Sequence, residues 1–185
     1  MIPASETFKG TWPFEPHFSD AAGFRQHFVD EGPAQGEVIL CLHGEPTWGY
    51  LYRNMIGPLA ENFRVVVPDH MGFGKSETPK DHVYTLQTHV ENLERFVADL
   101  NLSAITIVCQ DWGGPIAGAF TARNPRLVKR LFLMNTVLGY GGGQSAGGKT
   151  LWFQWIEKHE EAGTLNGILG ELGSTVLSVM KIIGF

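Results

Sequence analysis

Cysteine is scarce in this sequence, which contains only Cys41 and Cys109 among its 185 residues. Two thiols cannot build the disulfide framework of a small secreted protein. Each lies in a short apolar run typical of a buried strand, where cysteine behaves as a small apolar side chain. We therefore expect both thiols to be free, to lie close together in neighbouring strands, and to indicate a reducing, cytoplasmic location.

Positive charge and long apolar runs are also lacking. Lysine and arginine number 14 against 19 aspartates and glutamates, for a net charge of −5. A nucleic-acid partner would need a basic face, so the composition argues against one. No apolar stretch approaches the length of a membrane span, and the opening MIPASETFKG lacks the basic and apolar segments of a signal peptide. We expect a cytoplasmic protein without a membrane partner.

The chain does contain a regular alternation of short apolar runs and longer segments with helical spacing. The runs predict strands at 24–32, 38–42, 64–69, 104–110 and 129–135, and the helical spacing predicts helices at 50–60, 85–100 and 114–124. Strand–helix–strand order favours an α/β fold whose mostly parallel sheet carries helices on both faces. Strands that are apolar throughout fit burial on both sides.

The alternation of strand-like and helix-like segments stops after Asn135. The glycine-rich stretch GYGGGQSAGGK at 139–149 is followed by helix-like sequence without a clear strand. We place a domain boundary near Tyr140. Residues 1–139 would form the sheet core, and residues 140–185 would begin an inserted helical region, or cap.

A charged residue, Asp111, ends the apolar strand 104–110 and is followed at once by Trp112 and two glycines. The pattern small–x–nucleophile–x–small between a strand and a helix is that of a nucleophile elbow, with aspartate in place of serine. The helix that begins there directs free N–H groups and its positive dipole end toward the carboxylate. The alternative is that Asp111 only caps the helix, which is common for aspartate at such turns.

A second motif, HGEPTW, follows the strand at 38–42. Loops at the carboxyl ends of neighbouring parallel strands converge, and ligands bind there. The backbone N–H of Glu45 and that of Trp112 are therefore candidates for an oxyanion hole, a pair of donors aimed at a developing negative charge. We interpret His43 as a hydrogen-bonded turn residue rather than a catalyst.

Together the stretches LHGEPTWGYLYRNMI, VVVPDHMGFGKSETP, VCQDWGG and RLFLMNT resemble the haloalkane dehalogenases of the α/β-hydrolase superfamily, from about residue 24 to residue 138. The resemblance implies that Asp111 is the nucleophile, that Glu45 contributes to the oxyanion hole, and that Trp112 binds halide through its indole N–H. It implies halogenated hydrocarbon, halide and water as partners, with no cofactor and no metal.

The chemistry suits these residue types. Carboxylate attack on an sp³ carbon gives an ester, which water can hydrolyse, whereas a serine would leave a stable ether. Indole offers a donor and no acceptor for the departing halide. The resemblance implies a second halide donor in the cap, where Trp152 and Trp155 are available and spacing favours Trp155. The alternative is that both pack the cap onto the core, and Phe73, Phe120 and Phe153 are pocket-wall candidates with the same core alternative.

The catalytic base and its acid partner are missing from the pattern. In this fold the chain order is nucleophile, acid, histidine, and only His159 follows Asp111, in the polar stretch IEKHEE. The resemblance implies that in some dehalogenases the acid is a glutamate at the end of strand 129–135, where this sequence has Asn135, so that the acid would come after a further strand that this sequence does not contain. We therefore expect the C-terminal part of the fold to be absent, and this chain alone to be incapable of turnover.

Three other functions remain open. An epoxide hydrolase would share the Asp-Trp-Gly-Gly elbow but needs cap tyrosines, of which only Tyr140 follows Asp111. A cofactor-free luciferase that resembles the dehalogenases, or a pseudo-enzyme that serves as a binding module, would also keep this pattern. The substrate chain length, the halogen and the oligomeric state are not encoded in any motif.

Overall fold

The computed structural model describes residues 2–138 and 151–164. The strands are β1 (His17–Ser19), β2 (Gln26–Glu31), β3 (Val38–Leu42), β4 (Arg64–Pro68), β5 (Ile105–Gln110) and β6 (Val128–Met134). The α-helices are α1 (Arg53–Ala60), α2 (Leu86–Asp99), α3 (Gly113–Arg123) and α4 (Leu151–Glu161), and a 3₁₀ helix at Gly49–Tyr52 precedes α1.

The six strands form one sheet in the order β1-β2-β4-β3-β5-β6. Strands β4, β3, β5 and β6 are parallel, whereas β1 pairs with β2 and β2 pairs with β4 in the antiparallel sense. The prediction of a mostly parallel α/β sheet is confirmed. The three-residue strand β1 was not predicted, because HFS is too short and too polar to show a strand pattern.

Apolar clusters cover both faces of the sheet. On one face, side chains of α2 and α3 such as Phe96 and Ile116 join the apolar residues of the strands. On the other, Ile56 of α1 packs with Trp12 and Tyr52. Phe120 is fully buried in the first cluster, so its proposed role as a pocket-wall residue is wrong. The ring lies on the core-facing side of α3.

Strand β6 departs from the expectation of burial on both sides. It pairs with β5, and it is the outermost strand of the described sheet on that side. Phe132 and Leu133 are 55% and 47% exposed. In contrast, every residue of β3 is buried, because the α2–α3 cluster covers one of its faces and the α1 cluster covers the other.

The chain divides into two compact units, residues 1–140 and 141–185. The sheet lies in the first unit. Helix α4 is the described part of the second, and most of the proposed cap region lies outside the described residues. None of the described helices is both long and apolar enough to cross a bilayer.

The two cysteines are free, as expected, but their thiols are not neighbours. In the register of β3 and β5, Cys109 lies opposite Leu42, and Cys41 lies opposite Val108. Side chains alternate across a strand, so this one-residue offset sends the thiols to opposite faces. Cys41 packs with the α1 cluster and Cys109 with the α2–α3 cluster. Burial raises the pKa of Cys41 to about 12 and that of Cys109 to about 11.

We expect neither thiol to react with a maleimide at neutral pH while the protein is folded, since the reactive thiolate is suppressed at both sites. After denaturation without reductant, the same reagent should label two thiols per chain, which mass spectrometry counts directly. Labelling of neither thiol in the denatured chain would show that they are oxidised and contradict the structure.

Candidate active site

The candidate site lies where the loops after β3, β4 and β5 meet at the carboxyl edge of the sheet. Glu45 follows β3 by three residues, and Asp111 directly follows β5. Strands β3 and β5 are parallel neighbours, so their loops converge, as the sequence predicted. The backbone N–H of Glu45 donates a hydrogen bond to Oδ1 of Asp111 at 2.9 Å.

Asp111 occupies a backbone conformation that few aspartates adopt. Its φ is +50°, in the left-handed region, which is unfavourable for every residue except glycine, although asparagine and aspartate adopt it more often than other residues do. The following helix α3 begins at Gly113 and has no side-chain cap. The alternative interpretation of Asp111 as a helix cap is therefore wrong, because its carboxylate is hydrogen-bonded across to the β3 loop.

Small residues around Asp111 are required by close packing. A Cβ placed on Gly44 would lie 2.4 Å from both Cβ and Oδ1 of Asp111, and one on Gly113 would lie 2.3 Å from the carbonyl oxygen of Leu42. Thr136, just after β6, donates its hydroxyl to the carbonyl oxygen of Asp111. The turn is thereby held from the β3 side and from the β6 side.

The side chain of Glu45 retains access to solvent, but its carboxyl is partly desolvated. This desolvation, followed by the nearby carboxylate of Asp111, raises the pKa of Glu45. The site thus places two carboxyl groups close together. A rise in the pKa of one of them is the usual result of this arrangement.

His43 is buried and both of its ring nitrogens are engaged. Nε2 accepts the backbone N–H of His70 at 2.9 Å, and Nδ1 lies 2.9 Å from the carbonyl oxygen of Gly44. Because Nε2 accepts, the proton is on Nδ1 and the ring is neutral. Burial lowers the pKa of His43, which favours this neutral form. His43 is thus a hydrogen-bonded turn residue.

A buried polar network behind the site escaped the sequence analysis. Asp69, fully buried after β4, accepts the backbone N–H groups of Gly49 and Lys75 and lies 2.9 Å from Nδ1 of His27. Lys75, itself buried, donates to the carbonyl oxygens of Ala4 and Glu6. The signal was present in PDHMGFGKS, where a charged residue directly follows a buried strand.

The remaining predicted residues are less closely defined. Trp112 lies half-buried between Asp111 and α3. Trp155 is half-buried on α4, where its ring centroid lies 4.5 Å from that of His159. The side chains of Trp152 and Phe153 lie outside the described residues. Phe73 packs edge-on against His43 at 5.5 Å, and its role as a pocket-wall residue stays a prediction.

No group of three or more histidine, cysteine or acidic side chains is arranged to hold a metal ion in residues 2–138 and 151–164. Within the same ranges, no histidine ring is hydrogen-bonded to Asp111. His159 instead has its Nδ1 3.0 Å from the hydroxyl of Thr164. The geometry therefore provides a carboxylate with a backbone donor and leaves the base unassigned.

Comparison with known families agrees with this geometry. The family profile described as the alpha/beta hydrolase fold matches residues 37–162, well over half of the chain. The chain belongs to the α/β-hydrolase family.

Among curated proteins, this α/β-hydrolase chain is 38% identical over 175 residues to a haloalkane dehalogenase of Psychrobacter cryohalolentis, covering 89% of the chain and 58% of the relative. It is 40% identical over 127 residues to a cis-3-alkyl-4-alkyloxetan-2-one decarboxylase of Shewanella oneidensis, covering 67% of the chain and 39% of the relative. The chain thus spans less than two thirds of the length of either relative.

Solved structures give a similar result. The haloalkane dehalogenase DpaA of Paraglaciecola agarilytica matches with a TM-score of 0.72 and 34% identity, over 92% of this chain and 60% of that one. The epoxide hydrolase CorEH matches with a TM-score of 0.73 and 29% identity, over 85% and 56%. The expected α/β-hydrolase fold is confirmed.

We expect Gly44→Ala to destabilise the fold by about 1–3 kcal/mol, the usual cost of overpacking, because its Cβ would overlap Asp111. Chemical denaturation monitored by circular dichroism measures the change. Glu45→Ala is the matched control in the same loop, since it keeps the backbone N–H and removes a carboxyl from beside Asp111. That control should stay within about 0.5 kcal/mol of the parent. Equal stability of Gly44→Ala and the parent would contradict the described approach of the two loops.

Proposed function

We propose that Asp111 is the nucleophile of a haloalkane dehalogenase-type hydrolase. The observation that carries the proposal is the carboxylate at the tip of β5, held at φ +50° with Oδ1 hydrogen-bonded to the N–H of Glu45. One oxygen is oriented by the protein, and Oδ2 remains for attack. The 38% identity to a dehalogenase supports the choice of substrate class.

In the first step, Oδ2 attacks the carbon that bears the halogen, the carbon–halogen bond breaks, and halide leaves with the bonding pair. The product is an alkyl ester of Asp111. In the second step, water adds to the carbonyl carbon of that ester, and the oxyanion that forms is stabilised by the N–H groups of Glu45 and Trp112. Collapse of this intermediate releases the alcohol and restores the carboxylate.

The second step needs a base to take a proton from water, and a base typically contributes about 10² to 10⁴ in rate. His43 is occupied at both nitrogens, and we propose no role for His159. In this chain the ester should therefore accumulate.

Epoxides and oxetanones are two other candidate electrophiles, because relatives named for each class match the chain. An epoxide hydrolase and an alkyl-oxetanone decarboxylase are among its similar proteins. Asp111 is equally placed to open a strained three- or four-membered ring. An oxygen leaving group in a ring would stay attached to the alkylated enzyme, whereas a halide departs.

We expect incubation with 1-bromobutane to add one butyl group, in place of one proton, to the intact mass of the protein. Asp111→Asn should abolish the adduct, and peptide mapping should place it on Asp111. Asp81→Asn, which changes an exposed carboxyl away from the site, is the control and should label like the parent. Bromide release well beyond one equivalent per chain would contradict the missing base.

The same assay separates the rival classes. An epoxide should add its entire mass if ring opening is the preferred reaction, and an oxetanone should release carbon dioxide if decarboxylation is preferred. Faster labelling by 1,2-epoxybutane than by 1-bromobutane would replace the dehalogenase proposal with the epoxide hydrolase one. No labelling by the bromoalkane or the epoxide, together with no release of carbon dioxide from the oxetanone, would favour a binding module.

We further propose that Trp112 and Trp155 donate their indole N–H groups to halide. Saturable quenching of tryptophan fluorescence by iodide should weaken strongly in Trp112→Phe and in Trp155→Phe. Trp152→Phe, a change on the same helix, is the matched control and should respond like the parent. If Trp152→Phe weakens the response and Trp155→Phe does not, the second donor is Trp152.

A further inference from the structure

Both polar groups of the Gly44–Glu45 peptide unit are hydrogen-bonded. Its N–H donates to Asp111 at 2.9 Å. Its carbonyl oxygen accepts the backbone N–H of Thr47 at 3.1 Å, the hydroxyl of Thr47 at 3.1 Å and Nδ1–H of His43 at 2.9 Å. In a planar trans peptide the C=O and N–H point in opposite directions. Whatever fixes the carbonyl therefore also aims the N–H at Asp111.

The His43 ring can hold that carbonyl only in one orientation and one protonation state. Its Nε2 accepts the backbone N–H of His70 at 2.9 Å, which leaves the proton on Nδ1. The loop after β4, where His70 lies, is thus connected to the loop after β3. This connection follows from the pairing of β3 with β4 as parallel neighbours.

The side chain of His70 completes the link from the other direction. Its Nε2 lies 3.0 Å from the backbone carbonyl oxygen of His43, so Nε2–H donates to it. The two rings pack with their centroids 4.3 Å apart, and both are buried. The backbone N–H of His70 therefore holds the ring of His43. The ring of His70 in turn holds the backbone carbonyl of His43.

We propose that His70 is a positioning residue for the oxyanion donor at Glu45, acting through His43 and the Gly44 carbonyl. It contacts neither Asp111 nor a substrate. The importance of this donor for catalysis rests on the proposed function, but the structural link does not. An apolar residue at position 70 would fill similar space and leave the buried carbonyl of His43 without this donor, which is costly.

The test compares three substitutions at one position. His70→Gln keeps an N–H donor at the reach of Nε2. His70→Asn also has an N–H donor, but its side chain is one methylene shorter than that of glutamine and does not reach the carbonyl of His43. His70→Leu removes the donor. His89→Leu is the matched control. The His89 ring packs 5.7 Å from that of His70, but it is not part of the hydrogen-bonded link from His70 to the loop after β3.

The first readout is the amide proton resonance of Glu45 in the nitrogen–proton correlation spectrum. Asp111→Ala gives its position when the hydrogen bond is lost. We expect His70→Leu and His70→Asn to move the resonance toward that position, His70→Gln to stay near the parent, and His89→Leu to leave it unchanged. His70→Asn keeps the test valid if His70→Leu fails to fold.

The second readout is the rate of butyl labelling of Asp111, a step in which the N–H of Glu45 orients Oδ1 and no oxyanion forms. We expect this rate to fall about tenfold in His70→Asn and to recover in His70→Gln, because misplacing the attacking carboxylate slows the displacement. An unmoved Glu45 resonance in folded His70→Asn would overturn the inference, whether or not labelling occurs. Absence of labelling in the parent, with the resonance shifts as expected, would instead overturn the proposed function and leave the link intact.

Discussion

The candidate site depends on one buried carboxylate, that of Asp69. A charge that is removed from water is costly unless hydrogen-bonding partners replace the water. The backbone of Gly49, the backbone of Lys75 and the ring of His27 supply those partners. These three donors belong to different segments of the chain. The carboxylate therefore joins β2, the loop after β3 and the loop after β4 behind the candidate site.

The positive φ of Asp111 is held by contacts of its own. A non-glycine residue at positive φ costs of the order of 1–3 kcal/mol and persists only where its surroundings determine it. Here the hydroxyl of Thr136, the N–H of Glu45 and the close contact with Gly44 fix the turn. The result is a carboxylate whose Oδ1 is held by a backbone donor. Under the proposed function this arrangement suits several carbon electrophiles, so the elbow by itself does not distinguish a halide from a strained ring.

Much of the fold could be read from the sequence, because buried strands such as β3 and β5 are apolar throughout and their lengths are bounded by turns. Glu45 and Asp111 could be paired in advance, since each closely follows one of two strands that had to be neighbours. The sheet faces to which Cys41 and Cys109 point could not be predicted, because they depend on a one-residue register that no local pattern indicates. The roles of Asp69 and His70 were equally hidden, since they depend on ring orientation and on complete burial.

The bonds from Lys75 to the carbonyl oxygens of Ala4 and Glu6 have a consequence for synthesis on the ribosome. Residues 4 and 6 leave the exit tunnel long before residue 75, so their carbonyl oxygens lack this donor while β2 and β3 emerge. The ammonium group of Lys75 can bind these carbonyl oxygens only after the loop that follows β4 has been made. Residues 4–6 are thus joined to Lys75 only after β2, β3 and β4 have been made. The loop that binds residues 4 and 6 is the same loop that contains Asp69 and His70.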